Sequence, residues 1–243
     1  MNPRRTFSTA LRVLRQLRHD PRTLALVFLM PSVLLIVLYY VFENNNAAFS
    51  HAAPPLLGII PFILMFIVSS IAVLRERTTG TLERLLTSPA TKLDILGGYA
   101  VAFALLACVQ AALASLVTTQ FLNVTIHGSE WSLLLVAMLS GVSGMALGLL
   151  CSAFARTEFQ AVQFMPALVM PQLLICGLFV PRDVMSDLLQ RIADVMPITY
   201  IVTAMQEVQQ HADFTGELAK DVWVIAGVAI GALLLGALSL RSK

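Results

Sequence analysis

Six stretches of this chain contain no Asp, Glu, Lys, Arg or His and are each long enough to cross a lipid bilayer: Leu24–Phe42, Pro54–Leu74, Ile95–Phe121, Leu133–Phe154, Phe159–Val180 and Val222–Leu240. A helix needs about 20 mainly apolar residues to span a hydrocarbon layer about 30 Å thick. Within that layer every backbone amide must be bonded internally, so runs of this kind fold as helices packed side by side. Composition agrees: 58% of the 243 residues are hydrophobic, only 12% are charged, and the mean hydropathy is +0.81. Half the charge of a soluble domain cannot coat a globule of this size in water. An ordinary cytosolic enzyme, a disordered chain and a nucleic-acid binder are excluded on that ground. The expected fold is an all-α integral membrane protein with six transmembrane helices.

Orientation follows from the loops, because Lys and Arg accumulate on the cytoplasmic side. With the N-terminus inside, one side carries thirteen basic and five acidic residues and the other three and nine, so +8 faces −6. Both termini are therefore expected in the cytoplasm, in a multi-pass protein of the cytoplasmic membrane. A cleaved signal peptide is the competing reading of the N-terminus. Its basic region of about twenty residues and its bilayer-length apolar run both exceed what a signal sequence uses. Cys108, Cys151 and Cys176 lie inside apolar runs and form neither a disulfide framework nor a metal motif, so they read as packing residues.

The segments between the spans carry the specific information. In residues 1–22, Phe7, Leu11, Leu14 and Leu17 recur at helical spacing while Arg5, Arg12 and Arg15 take another side. This predicts an amphipathic helix lying in the interface, ended by Asp20-Pro21. Residues 23–243 then form the membrane domain. In the loop 75–94, R-E-R-T-T-G-T-L-E-R-L-L-T-S-P-A-T-K-L-D, Gly80 interrupts a charged stretch and Pro89 closes one or two helical turns. Leu82, Leu85 and Leu86 fall on one face of those turns, and an apolar stripe with a charged rim suits docking into a groove of another protein. Packing on this chain's own helix ends is the alternative. The outer segment 181–221 holds a stripe of Leu188, Leu189, Ile192, Val195 and Met196, then Pro197 and an apolar stretch too short to span. It reads as a re-entrant pair forming an outer lid.

Gly144/Gly148 and Gly227/Gly231 are G-x-x-x-G pairs that permit close helix approach, within the chain or at a dimer seam, the first being favoured. Pro166 and Pro171 should kink the fifth run, and Gln163 and Gln172 beside them either line a path or bond other helices. An ion-coupled carrier keeps an ionisable group inside its spans, and these spans have none. The sequence also has no G-x-x-x-x-G-K-[ST], no H-E-x-x-H and no G-x-S-x-G, so no P-loop nucleotide site and no hydrolytic centre of these types. Uphill transport by such a chain would draw its energy from another polypeptide. A scaffold that only recruits a cytoplasmic protein, and a small polytopic carrier or enzyme, are the rival classes.

Glu76-Arg77-x-x-Gly80-Thr81-Leu82-Glu83 with Ser88-Pro89 resembles the E-R-x-x-G-T-x-E…[TS]-P loop of type-2 ABC transporter permeases. Gly177-Leu178-Phe179-Val180-Pro181, Leu188-Leu189 and Met196-Pro197-x-x-Tyr200 resemble the family's G-x-x-x-P…P-x-x-Y stretch before the last span. The likeness covers essentially the whole chain and is strongest to short-loop, daunorubicin-resistance-type exporters. Ser88 stands where Thr is common, Ser186 where a Pro often sits, and Gly97-Gly98-Tyr99 where Gly-Lys is usual.

The resemblance implies a half-transporter. Two permeases, as a second copy or a sister subunit, would work with two separate ATP-binding subunits that hold ATP and Mg, the chain itself carrying no cofactor. Its substrate would be a lipid-like, drug-like or amphipathic compound moved outward. Glu76, Arg77, Gly80, Thr81, Leu82, Glu83, Leu85 and Leu86 would form the coupling helix gripped by the ATPase. Gly177, Pro181, Pro197 and Tyr200 would form the outer gate, and Phe62, Phe66, Gln163, Phe164 and Gln172 would lie along the pathway.

Overall fold

The structure is a computed structural model, which describes residues 2–43, 45–81, 91–122, 124 and 126–239. Among the described residues there are nine α-helices and no strand. In chain order they are α1 (Pro3–Arg18), α2 (Pro21–Val41), α3 (Asn46–Thr78), α4 (Lys92–Leu116), α5 (Glu130–Ser152), α6 (Glu158–Ile175), α7 (Asp187–Ala193), α8 (Pro197–Gln210) and α9 (Gly216–Ser239). A π-helical turn, Val117–Phe121, extends α4, and a short 3-10 turn, Arg182–Val184, precedes α7.

Local chemistry explains where these helices begin. The Asn2 side chain accepts the Arg4 N–H ahead of Pro3, and the Asp20 side chain accepts the Thr23 N–H ahead of Pro21. Polar caps followed by proline at the first helical position fix a helix start, since that N–H has no partner in any case. Thr91 and Asp94 exchange bonds as a capping box at the start of α4. Ser129 caps α5 and Thr157 caps α6 more simply, each hydroxyl accepting one backbone N–H, of Trp131 and Gln160 respectively.

Among the described residues five helices are long and apolar enough to cross a membrane: Pro21–Val41, Ala48–Thr78, Leu93–Phe121, Glu130–Ser152 and Gly216–Ser239. Four of them match expected runs with small shifts at the ends. The remaining one, α3, starts earlier than expected, because residues 43–53, between the first two expected runs, supply its first turns from Asn46 onward. Its 33 residues extend about 50 Å at 1.5 Å per residue, well beyond the hydrocarbon layer. The run expected over Phe159–Val180 is a shorter helix of 18 residues that stops at Ile175, with residues 176–180 forming bends. Glu158, three glutamines and two prolines dilute its apolar character, which keeps it out of the five.

α3 is the central post. It packs along α5 so closely that a Cβ at Gly144 would overlap the Phe62 carbonyl, and one at Gly148 the Phe66 carbonyl. This G-x-x-x-G therefore serves packing within the chain, as the sequence favoured. The Ser69 hydroxyl donates to Met145 O at 3.0 Å, adding a bond of the kind small polar residues make between membrane helices. The second pair, Gly227 and Gly231, meets open space. α8 fits into the bundle through Ile198, Ile201, Val202 and Met205, all fully buried. The stripe on α7 is different: Leu188, Leu189, Ile192 and Val195 are exposed, and the helix ends at Ala193, before Pro197, which instead opens α8. The outer faces of α2 and α9 present Leu26, Val33, Val37, Trp223, Ile230 and Leu234. In a soluble monomer such contiguous apolar faces are rare; here they are the lipid contact.

Helices alternate in direction, so the bundle has two ends. α1, the end of α3, the start of α4, the end of α5 and the start of α6 share the arginine-rich end. The last turns of α9 lie there too, with Gly236 beside Leu150 and Ala237 packed on the cluster that contains Ala10 and Val13. The start of α3, residues 127–128 and the end of α8 share the opposite, acidic end.

Candidate functional site

The arginine-rich end is organised by three consecutive residues of α3. Successive helical residues point about 100° apart, and Arg75, Glu76 and Arg77 use this to hold three different parts of the bundle. Glu76, only 4% exposed, receives Arg12 of α1 through two bonds, Nη1 to Oε1 at 3.2 Å and Nη2 to Oε2 at 3.0 Å. The Tyr99 hydroxyl of α4 donates to the same carboxylate and accepts from Arg12 Nη2 at 3.0 Å. The Arg12 guanidinium also lies 5.7 Å from the centre of the Tyr99 ring, within cation–π range. Burial works most strongly against the Arg12 charge, but the bonds and charges of Glu76 and Tyr99 together outweigh it and the guanidinium pKa rises above its ordinary value.

Arg77 Nη1 donates to Ser152 O at 2.8 Å and to Ala153 O at 3.1 Å, closing the end of α5 where backbone carbonyls lack helical partners. Arg75 makes a two-fold bond to Glu158 at the start of α6, at 3.0 and 3.2 Å, with both side chains about half exposed. Gly80 then ends the helix in a left-handed conformation, φ +71°, that glycine adopts without strain. The Thr81 hydroxyl is hydrogen-bonded to that of Thr79 at 3.1 Å. Leu82, Glu83, Leu85 and Leu86 lie outside the described residues.

α1 is clamped at a second point. The Asn2 N–H donates to Asp94 Oδ1 at 2.7 Å, and Asp94 Oδ2 accepts the Thr91 N–H at 3.0 Å. Between the two clamps α1 comes so near α4 that a Cβ on Gly98 would overlap the Thr9 side chain. Gly97-Gly98-Tyr99 is thus a close-approach site followed by the tyrosine that bonds Glu76. Sequence reading singled out Glu76 but missed Arg12 and Tyr99 as its partners. The amphipathic pattern of α1 and the double glycine before Tyr99 were the available signals.

A cavity of about 370 Å³ adjoins this cluster, between α1, α2 and the last turns of α3. Leu17, Leu26, Val27, Ile67 and Ile71 contribute its apolar wall, with Glu76 and Tyr99 also facing it, and Asp20, Arg75 and Glu158 are its other charged neighbours. The Thr23 hydroxyl and backbone N–H hold the Asp20 carboxyl below its ordinary pKa.

The residues expected along a pathway are not brought together. Phe62 and Phe66 are 1% exposed, on the α3 face turned toward α5. Gln163 is exposed, and Phe164 packs on Leu74, Ala155 and Ala161. Gln172 bonds helices: its Nε2 donates to Leu168 O at 2.9 Å and its Oε1 accepts the Ile198 N–H at 3.4 Å. Those expected at an outer gate do cluster. Gly177, at φ +92°, faces Arg182, which pairs with Asp194, and the Tyr200 hydroxyl donates to Asp194 O at 2.5 Å. Pro181 and Pro197 open the turns on either side of this knot. Among the described residues no group of His, Cys, Asp or Glu is arranged to hold a metal ion.

A family model described as ABC-2 type transporter matches residues 5–209, most of the chain. The chain is similar to the probable multidrug ABC transporter permease YbhS of Escherichia coli, 26% identical over 202 residues, covering 82% of this chain and 53% of that protein. It is similar to the probable multidrug permease YbhR of the same bacterium, 30% identical over 155 residues, covering 64% and 42%. The linearmycin resistance permease protein LnrN of Bacillus subtilis is 23% identical over 158 residues, covering 65% and 40%. The chain spans about half the length, or less, of these relatives. The matched stretch runs from the clamped helix α1 to the last turn of α8 and includes the Glu76–Arg77 segment that holds four helices together. On that combined evidence the chain belongs to the ABC-2 type transporter family.

Proposed function

We propose that this chain is the membrane half of an ATP-driven exporter, moving a drug-like, lipid-like or otherwise amphipathic compound out across the cytoplasmic membrane. Two such permeases, identical or sister copies, would work with two copies of a separate ATP-binding subunit that supplies the ATP and Mg chemistry. The permease names of the relatives, two multidrug and one linearmycin resistance, support the substrate class. The observation that carries the reading is the Arg75-Glu76-Arg77 hub. It joins the last turns of α3, which precede residues 82–90 in the chain, to α1, α4, α5 and α6. A push on that segment would reach four helices through short charged bonds, which is what a motor outside the membrane requires.

Six passes with both termini in the cytoplasm complete the proposal. α6 starts at Arg75 and its Gln172 bonds the first turn of α8, so it runs from one end of the bundle toward the other. At 1.5 Å per residue its 18 residues cover about 27 Å, close to the hydrocarbon thickness. The positive side, which includes α1 and the hub, is then the cytoplasmic one. The residues Leu82, Glu83, Leu85 and Leu86 would seat in the ATPase groove, and the Gly177–Tyr200 knot would act as the outer gate.

Substitution of Glu83 by Ala tests this. The variant should insert and assemble normally and lose substrate-dependent stimulation of the partner ATPase. Unchanged coupled transport would overturn the assignment of this segment as the coupling helix, and insertion with no ATPase partner in any purified complex would favour a scaffold instead.

A further inference from the structure

The cavity between α1, α2 and α3 has a size, a wall and a charge that together specify a ligand. Its volume of about 370 Å³ falls in the range of drug-sized sites, about 300–1,000 Å³. Its wall is aliphatic, from Leu17, Leu26, Val27, Ile67 and Ile71. Three carboxylates and one guanidinium line it: Asp20, Glu76, Glu158 and Arg75. Two of the carboxylates already have partners, since Arg12 neutralises Glu76 and Arg75 neutralises Glu158. Asp20 has no ion-pair partner among the described residues. Its carboxylate accepts the Thr23 hydroxyl and the backbone N–H groups of Thr23 and Arg22, which leave further acceptor positions on its oxygens, and Arg75 attracts it from beyond ion-pair distance while bonding Glu158. One negative charge therefore remains in excess beside an apolar recess.

We propose that this recess is a binding site for an amphipathic cation, with the hydrophobic body held between α1, α2 and α3 and the amine beside Asp20. Over Asp20, Glu76, Glu158, Arg75 and Arg12 one negative charge is left over; a neutral molecule would not offset it, and an anion would be repelled by it. The site lies apart from Phe62, Phe66, Gln163, Phe164 and Gln172, none of which lines it. Its use as the position from which cargo is loaded rests on the permease reading above; the binding itself does not.

The test is equilibrium binding of rhodamine 6G, a fluorescent lipophilic cation, to the full chain in phosphatidylcholine nanodiscs. Three results are expected. Binding is saturable and is lost in Ile71→Trp, which fills the recess. It weakens about three- to fivefold in Asp20→Asn, the scale of one partly solvated charge contact, while asparagine preserves the helix cap. Dodecyltrimethylammonium displaces the dye at a several-fold lower concentration than dodecyl sulfate, which has the same tail and the opposite charge. Equal displacement by the two detergents, or Asp20→Asn binding like the original protein, would overturn the proposal even if Ile71→Trp failed to fold. Loss of dye binding when phosphatidylethanolamine replaces phosphatidylcholine would also overturn it, by showing a phospholipid in the recess. Intact dye binding with no ATPase coupling would leave this site standing and remove the permease reading; coupled transport without dye binding would do the reverse.

Discussion

At the arginine-rich end, α3 holds its neighbours through charged bonds between residues far apart in sequence: Glu76 with Arg12 and Tyr99, Arg75 with Glu158, and Arg77 with the last carbonyls of α5. At the acidic end, apart from the Thr203 hydroxyl donating to the Asp221 carboxylate between α8 and α9, the long-range bonds among the described residues are neutral. Gln209 Nε2 donates to Ser50 O at 2.6 Å, and the Gly128 N–H donates to Val208 O at 3.0 Å. The ion pair found there is local, Arg182 with Asp194, and His211 Nδ1 lies 3.2 Å from Glu207 Oε2 within one helical turn. One end is thus a set of directional tethers converging on three residues, and the other is held by backbone contact and close packing. Tethers that converge can pass a displacement from one point to many helices. A packed end resists such motion until its contacts separate. This division fits a machine driven from the arginine-rich side and gated on the other.

The largest expected effect comes from breaking the buried tether. Arg12→Met leaves Glu76, almost fully buried, with Tyr99 as its one remaining side-chain partner among the described residues. The loss should be about 3 kcal/mol, because an uncompensated buried charge costs far more than the pair contributes. Thermal unfolding in detergent would show it, and adding Glu76→Met should restore most of the loss. Next is Gly128→Ala at the acidic end, where the new methyl would overlap the Val208 carbonyl; overpacking of this kind should cost about 1–3 kcal/mol in the same assay. Gln209→Leu removes one neutral bond to Ser50 and should cost about 1 kcal/mol. Smallest of all is Arg75→Gln. Its bond to Glu158 is half exposed, so stability should fall by less than about 1 kcal/mol and the difference should shrink further in high salt. A reversed order, with Gly128→Ala costing more than Arg12→Met, would show that the packed end is the stronger.

Apolar runs made the helices legible in sequence, and Asp20-Pro21 marked the break between α1 and α2 correctly. The early start of α3 was hidden because Asn46, Ser50 and His51 are polar, although nothing in their chemistry prevents a helix that leaves the membrane. Which face of α3 is core was hidden for a different reason. Phe62 and Phe66 look like good pathway residues in a helix that is apolar all round, yet Gly144 and Gly148 draw that face onto α5 and leave Ile67 and Ile71 open to the cavity. Periodicity cannot resolve a face when every face is apolar. Glu76 stood out in the sequence as part of a motif with an outward role. Its partners lie 64 and 23 residues away, and only the packing of α1 on α4 shows that the carboxylate points inward, holding the hub from which the segment 82–90 departs.

Transport per ATP hydrolysed, in vesicles containing the permease and its ATP-binding subunit, tests the hub most directly. Glu76→Gln keeps the side-chain shape and removes the charge that joins α1 to α3 and α4. The expected result is a complex that still assembles and hydrolyses ATP but moves much less substrate per ATP. Transport per ATP equal to that of the unaltered protein would contradict the claim that force passes through this carboxylate.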